Sequence, residues 1–422
     1  MNIRLTKTSV CKLFSAYVVL IPILQYYNSP IPAFNLATLL AMLFGVFFFV
    51  FRLKEKAVIR KKSFQAPAWI YILFITGNVI ITSFLYRYEF SWDNNKAYVR
   101  LFVLFLTIIV LGNRYFNFDY ALKALERILT ISGIAIIINV IFFTAFHADF
   151  KLVIRPLLSD TISVGTSIRS GGMYMEPAHY AQSAILYLIC YIFSDKKRLF
   201  LSKKSFYMII AGILFSTSGQ GYAMLAFVYA VWLVYSTFIS NSSMQKKILV
   251  VGSVLAVAIA IVLMYHLSFV QYAVSRIIDD EGNIGGRALS GRTWTNYKFY
   301  LLPDIQRYFG VGFGHIKQVT SGYVNSMYSY LIQCGYPSLA LFIIMGIYYF
   351  VHGDLPMRIH LIFFAVMYYF SGIASAMSIM LYFSVYSAEA TMNYLEKRQK
   401  IFDAIGRGNS MKKNAESRRK TA

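Results

Sequence analysis

Long apolar runs recur from one end of the chain to the other and constrain the fold more than any other feature. The chain is 58% hydrophobic and only 14% charged, whereas soluble domains carry about 25% charged residues. A run of about 20 apolar residues can cross a bilayer as a helix. The runs lack the alternating pattern of barrel strands, so each is expected to satisfy its backbone as a helix. The sequence therefore predicts an all-α polytopic membrane protein.

The runs divide the chain into about twelve candidate spans. They are residues 13–29, 33–51, 68–86, 99–112, 128–146, 178–194, 205–217, 221–239, 248–266, 326–350, 359–373 and 375–388. Together they form one predicted integral membrane domain, residues 1–388, followed by a basic tail, residues 389–422. Most connections are short, but segments 147–177 and 267–325 are long, and long loops are typically functional or disordered. A functional site is therefore expected in these two loops.

The positive charge of the chain is distributed unevenly along it. The net charge is +23, from 41 Lys and Arg against 18 Asp and Glu. With a cytoplasmic N-terminus, about 70% of the basic residues fall in cytoplasmic segments, the bias that orients membrane proteins. Both termini are therefore predicted to be cytoplasmic and both long loops extracytoplasmic. Topology and contact with anionic membrane lipids account for the basic excess, so no nucleic-acid partner is expected.

The sequence carries no motif for a metal or a nucleotide cofactor. Its three cysteines, Cys11, Cys190 and Cys334, are scattered and indicate neither disulfides nor a metal site. The glycine-rich run at residues 310–314 follows no buried strand, so it is not a nucleotide-binding fingerprint. There is no phosphate-binding loop of the ATPase type, and no His-Glu-x-x-His, Cys-x-x-Cys or Asp-x-Asp sequence. No cofactor and no metal are expected.

Glu176 is the most informative ionisable residue, because it ends the first long loop and leads directly into an apolar run. Pro177 suits the first turn of a helix, and the helix dipole favours a carboxylate there, which is a purely structural explanation. The functional alternative is that Glu176 orients an arginine or a sugar hydroxyl, or accepts a proton. His179 is three residues further on roughly the same helix face. It is either a satisfied interfacial histidine or a catalytic one.

Arginines near glycines mark both long loops. Arg169 lies in the first loop, and Arg287 and Arg292 lie in the second, which also contains His315. The guanidinium group is a planar fork of donors suited to phosphate, so these residues are candidates for holding a lipid-linked diphosphate. The structural alternative is that they anchor the loops to lipid headgroups. Residues 291–309 are expected to form a short amphipathic helix on the membrane surface.

Five short motifs occur in a characteristic order. They are GGMYMEP at residues 171–177, FSTSGQG at 215–221, SGR at 290–292 followed by Trp294, GVGFG at 310–314, and NS at 325–326 before the span that contains Gly335. In order and placement, over nearly the whole chain, they resemble the polytopic polymerases of bacterial O-antigen and capsule (Wzy type), which share a superfamily with the O-antigen ligases. One departure is that Gly219 and Gln220 follow Ser218, where such proteins often carry an arginine.

The resemblance implies many membrane helices with an outward-facing cavity in the bacterial cytoplasmic membrane. It implies transfer of a growing glycan from undecaprenyl diphosphate to a new lipid-linked repeat unit, without metal or nucleotide sugar. The expected partners are this lipid-linked oligosaccharide, membrane lipids, a chain-length regulator and a flippase. We hypothesise a single displacement with inversion at the anomeric carbon. Arg169, Arg287 and Arg292 would hold the diphosphate, and Glu176, His179 or His315 would orient or deprotonate the acceptor hydroxyl.

Two other functions remain open at this point. A ligase of the same superfamily would use the same donor with a different acceptor. A flippase or other transporter of lipid-linked oligosaccharides should place charges inside its spans, facing a central cavity. The predicted span interiors are nearly free of Lys, Arg, Asp and Glu. The sequence therefore favours chemistry on the outer face over transport.

Overall fold

The structure is a computed structural model that describes residues 7–31, 34–54, 66–87, 92–146, 170–193, 203–239, 271, 294–320, 324–370 and 384. Helices make up 84% of it, and these residues include no strand. The α-helices of these residues are α1 (Lys7–Leu24), α2 (Leu36–Lys54), α3 (Ala66–Leu85), α4 (Trp92–Tyr115), α5 (Phe118–Phe146), α6 (Pro177–Phe193), α7 (Lys203–Phe215), α8 (Gly219–Val234), α9 (Asp304–Phe309), α10 (Ser326–His352) and α11 (Leu355–Phe370).

Among the described residues, three helices are long and apolar enough to cross a membrane: Ala66–Leu85, Phe118–Phe143 and Ser326–His352. Shorter apolar helices occur at Thr8–Leu24, Leu36–Phe47 and Leu355–Tyr369. The helical fold with membrane-length apolar helices is thus confirmed, whereas the number of about twelve spans stays a prediction. The predicted span 248–266, the span 375–388 apart from Ser384, and the tail 389–422 lie outside the described residues.

Helix α5 is the longest helix in the described part of the chain, and the site lies beside it. Its 29 residues correspond to a length of about 43 Å. Helix α6 packs antiparallel to it, because Tyr180 near the start of α6 contacts Leu129, whereas Tyr187, two turns later, interacts with Glu126. The Tyr180 hydroxyl also lies 3.2 Å from the Ile209 carbonyl oxygen of α7. One buried tyrosine thus joins three helices.

Glu126 is a charged residue buried in a helix, at a position that the sequence placed in a connection between two spans. The sequence assigned residues 113–127 to a cytoplasmic connection and began the span at residue 128. The helix instead begins at Phe118, and Glu126 is fully buried in it. Its carboxylate interacts with the Tyr187 hydroxyl of α6. A polar partner of this kind is what an ionisable group needs inside an apolar bundle.

Helix α10 is broken in its middle. Gly335 has φ 72° and ψ −176°, which interrupts the helical backbone, and Pro337 follows two residues later. A positive φ costs a residue with a Cβ atom about 1–2 kcal/mol, and proline cannot supply an N–H to the preceding turn. The predicted span 326–350 is therefore two helical segments that meet at Gly335.

The break leaves backbone carbonyl groups of α10 without helical donors, and the loop at residues 310–314 donates hydrogen bonds to them. The Val311 N–H donates to the Ile332 carbonyl at 2.8 Å, and the Gly312 N–H donates to the Gln333 carbonyl at 3.0 Å. Asn78 of α3 donates to the carbonyl that ends α9, at 2.6 Å. Irregular backbone within an apolar bundle is tolerated where protein groups satisfy it. The glycine-rich loop is thus a structural part of the broken helix.

The predicted surface helix at residues 291–309 is replaced by two short helical segments. Its first three residues lie outside the described part of the chain. Trp294–Phe299 forms a 3-10 helix and Asp304–Phe309 forms α9. Pro303 separates them, because the residue before a proline disfavours the helical conformation. Phe299 is buried against α10, so this segment is held by packing on the bundle.

Candidate functional site

The loop at residues 170–176 reaches the middle of α5. A Cβ atom built on Gly172 would lie 2.4 Å from the carbonyl oxygen of Ser132, so the two backbones are in direct contact. Ser132 is about 14 residues from either end of α5, which is about 21 Å along the helix axis. Glu176 and the start of α6 are therefore deep beside α5, and not at its end.

Two glycines allow the loop to take this path. Gly172 has φ 63°, a conformation that L residues rarely adopt. A Cβ atom on Gly171 would lie 2.5 Å from the carbonyl oxygen of Tyr174, whose N–H donates to the Gly171 carbonyl at 3.0 Å. Tyr174 is buried with its ring against Tyr180, 5.7 Å between centroids. The motif is thus a tight turn anchored by a buried aromatic ring.

Glu176 precedes α6 and is exposed, although the residues that follow it are buried. Its backbone carbonyl accepts from the N–H groups of His179 and Tyr180, at 3.1 and 3.3 Å, which places it at the helix N-terminus. The helix dipole favours the carboxylate there, as the structural explanation requires. Within the described residues no side chain bonds to that carboxylate. It is available to a ligand or to a cation.

His179 is buried and contacts Tyr26 at the end of α1. The two rings are stacked, with centroids 4.9 Å apart and an interplanar angle of 12°. The His179 Nε2 lies 3.3 Å from the Tyr26 hydroxyl, within hydrogen-bond distance. The Nδ1 atom is buried without a partner in the described part of the chain. His179 is therefore only half satisfied, because a buried polar atom normally has a partner.

A second polar turn, residues 216–218, approaches α6 from α8. Its three side chains are buried, and the Ser218 hydroxyl caps α8 by accepting from the Gly221 N–H at 3.1 Å. Thr217 has φ 52°, an unfavourable backbone conformation for a β-branched residue. A Cβ atom built on Gly221 would lie 3.1 Å from the Ala181 Cβ atom of α6. This turn thus lies next to the first turns of α6.

His315 belongs to a different part of the molecule. The Gly314 N–H before it donates to the Gln333 side-chain oxygen at 2.8 Å, and the His315 Nδ1 lies 3.2 Å from the Gln318 amide nitrogen. Its loop rests on α10, whereas the Glu176 loop rests on α5 and α6. The structure therefore places Glu176 and His179 close together, whereas His315 lies in a different loop that packs on α10.

Acid should destabilise the protein through His315. Burial lowers the pKa of its ring below the ordinary 6.5. Above about pH 6.5 neither the folded nor the unfolded ring binds a proton, and below it the unfolded ring binds one first. The free energy of unfolding therefore falls as the pH drops, until the folded ring also titrates. We expect His315→Gln to lose less thermal stability between about pH 7 and about pH 5 than wild type.

The three candidate phosphate-binding arginines, Arg169, Arg287 and Arg292, lie outside the described residues. Their assignment stays a prediction. Sequence reasoning missed Tyr26, which is one of 33 tyrosines and has no local signal. It also missed Glu126, because the predicted span began at residue 128 whereas the helix begins ten residues earlier, at Phe118.

The site around α6 combines an open carboxylate, a half-satisfied imidazole and buried hydroxyl groups. Such a set can bind sugar hydroxyls, orient a cationic side chain or exchange a proton. In the part of the chain that the structure describes, no three His, Cys, Asp or Glu residues come together as metal ligands. No protein-family model matches this chain, and no curated protein sequence matches it.

Proposed function

We propose that this chain is a polysaccharide polymerase of the bacterial cytoplasmic membrane. It joins undecaprenyl-diphosphate-linked oligosaccharide repeat units on the outer face, by glycosyl transfer with inversion. One observation carries the proposal: the open carboxylate of Glu176 and the half-satisfied ring of His179 lie together deep beside α5. The order of the motifs along the chain supports the same function.

In the proposed reaction, an acceptor hydroxyl attacks the anomeric carbon of the donor glycan from the side opposite the diphosphate. The bond to the lipid diphosphate breaks, and the hydroxyl proton passes to a base. Arg169, Arg287 and Arg292 stabilise the charge on the leaving diphosphate, because guanidinium forks match phosphate oxygens. The membrane orientation follows the charge bias, with both termini in the cytoplasm.

Glu176 is assigned an orienting role in this proposal. Its carboxylate is exposed and within the described residues has no donor, so it is free to hold an arginine of either long loop. A charge-assisted hydrogen bond of this kind contributes about 1.5–3 kcal/mol. His179 and His315 are the remaining candidates for orienting or deprotonating the acceptor hydroxyl.

Glu176→Gln tests the proposal. We expect about a 10- to 100-fold loss of long surface glycan, because the substitution removes one charge-assisted bond. Glycan ladder length is measured alongside the membrane abundance of the protein. The matched control is Asp304→Asn, an exposed acid that forms a salt bridge with Arg307, three residues later, and it should keep the wild-type ladder. An unchanged ladder in Glu176→Gln at normal abundance would contradict the proposal.

A flippase for lipid-linked oligosaccharides is the second candidate, and two observations favour it. Glu126 is buried inside the bundle, and α10 is broken as the helices of many transporters are. The location of unpolymerised repeat units in cells that lack this protein decides between the two functions. A polymerase defect leaves single units on the outer face, where an added lectin reaches them in intact spheroplasts. A flippase defect leaves them inside, and a ligase defect leaves long polymer on the lipid.

A further inference from the structure

Backbone hydrogen bonds on both sides of the connection hold Tyr26 between α1 and α2. The Tyr26 N–H donates to the Ile23 carbonyl at 3.2 Å, which continues α1 by one turn. The Leu36 N–H donates to the Tyr27 carbonyl at 3.0 Å, and Asn28 pairs with Asn35 across the hairpin. These contacts fix the backbone from which the Tyr26 side chain reaches α6.

The Tyr26 ring restrains His179 in two ways across 153 residues of sequence. Stacking holds the plane of the imidazole, and the Tyr26 hydroxyl lies 3.3 Å from its Nε2. The tautomer of a neutral histidine depends on what bonds to each ring nitrogen. A phenol is a better donor than a neutral imidazole, and an imidazole nitrogen is the better acceptor. This contact therefore favours the tautomer with the proton on Nδ1.

We propose that Tyr26 is a positioning residue of the site, which holds the His179 ring and keeps its proton on Nδ1. His179 then contributes an N–H donor, because its lone pair is engaged by Tyr26. The task of accepting a proton is left to another group. Glu176 is close enough to the same ring to interact with it electrostatically. The inference rests on the proposed function only in assigning His179 to the site.

The test is ¹⁵N NMR of the histidine rings in the full-length protein in lipid nanodiscs. The chain has six histidines, and the His179 signals are identified by their loss in His179→Gln. In wild type we expect the Nδ1–H tautomer to predominate. Tyr26→Phe keeps the stacking but removes the hydroxyl, and we expect the ratio of tautomers to change about fivefold towards Nε2–H, the effect of one hydrogen bond. The matched control Tyr27→Phe should leave the ratio unchanged.

Unchanged His179 signals in a folded Tyr26→Phe protein would overturn the inference, as would an Nε2–H tautomer in wild type. Glycan synthesis by the same variants provides the second readout. If Tyr26 positions His179, the pH profile of polymer formation shifts in Tyr26→Phe and not in Tyr27→Phe. Should His179→Gln make normal polymer while Tyr26→Phe still changes the ring signals, the positioning stands and the use of His179 in the proposed function fails.

Discussion

Gly335→Ala is expected to lower the free energy of unfolding by about 2–6 kcal/mol. The backbone there has φ 72°, and an added Cβ atom would lie 2.0 Å from the carbonyl oxygen of Tyr308. The new methyl group meets backbone, which cannot rotate away as a side chain can. Either α10 straightens or α9 moves, and both options break the hydrogen bonds of the glycine-rich loop. The measurement is the temperature at which the detergent-solubilised protein loses its monodisperse elution.

Gly346→Ala is the matched control for this effect. Gly346 lies in the second half of the same helix, and a Cβ atom there would meet no atom within 4 Å. Alanine is the better helix former by about 1 kcal/mol, so the control should be as stable as wild type or slightly more stable. Equal melting temperatures for the two variants would show that the break at Gly335 is not required by the fold.

The helical fold was predictable because it depends on local properties of the chain. Apolar runs longer than a bilayer core specify helices whatever their neighbours are. The break in α10 also had a local signal, since Gly335 and Pro337 are both poor residues for a helix interior. The start of α5 was misplaced because Asp119, Lys123 and Glu126 look like a cytoplasmic connection. Their position in a helix depends on packing that no single segment specifies.

The candidate site was predictable only in part. Glu176 and His179 share a helix turn, so their proximity follows from spacing alone. Tyr26 joins them across a large separation in sequence, and only the packing of α1 and α6 against the same helix, α5, brings it there. The position of the loop at residues 170–176 beside the middle of α5 also depends on packing between distant segments. Gly172 contacts the middle of α5 because both backbones can approach closely, and sequence spacing contains no such distance.

If the chain is the polymerase proposed above, Gly172→Ala is expected to reduce surface glycan polymer by about 100-fold while leaving the protein in the membrane. The added Cβ atom would lie 2.4 Å from the Ser132 carbonyl oxygen, at a residue with φ 63°. The loop must move away from α5, and Glu176, four residues later, moves with it. A displacement of about 1 Å can cost a site about 100-fold in rate. Glycan ladder length, normalised to membrane abundance, measures the effect.

Gly77→Ala is the control, because a Cβ atom on that glycine of α3 would meet nothing within 4 Å. Polymer made at the wild-type level by an abundant Gly172→Ala protein would mean that the depth of the loop has no role in the reaction. Loss of polymer in Gly172→Ala but not in Gly77→Ala would show that the position of Glu176 matters. The Gly172→Ala protein keeps the Glu176 carboxylate and changes only its location. Glu176→Gln instead keeps the loop in its place and removes the negative charge. Matching losses in the two variants would assign to Glu176 a role that requires both its charge and its place beside α5.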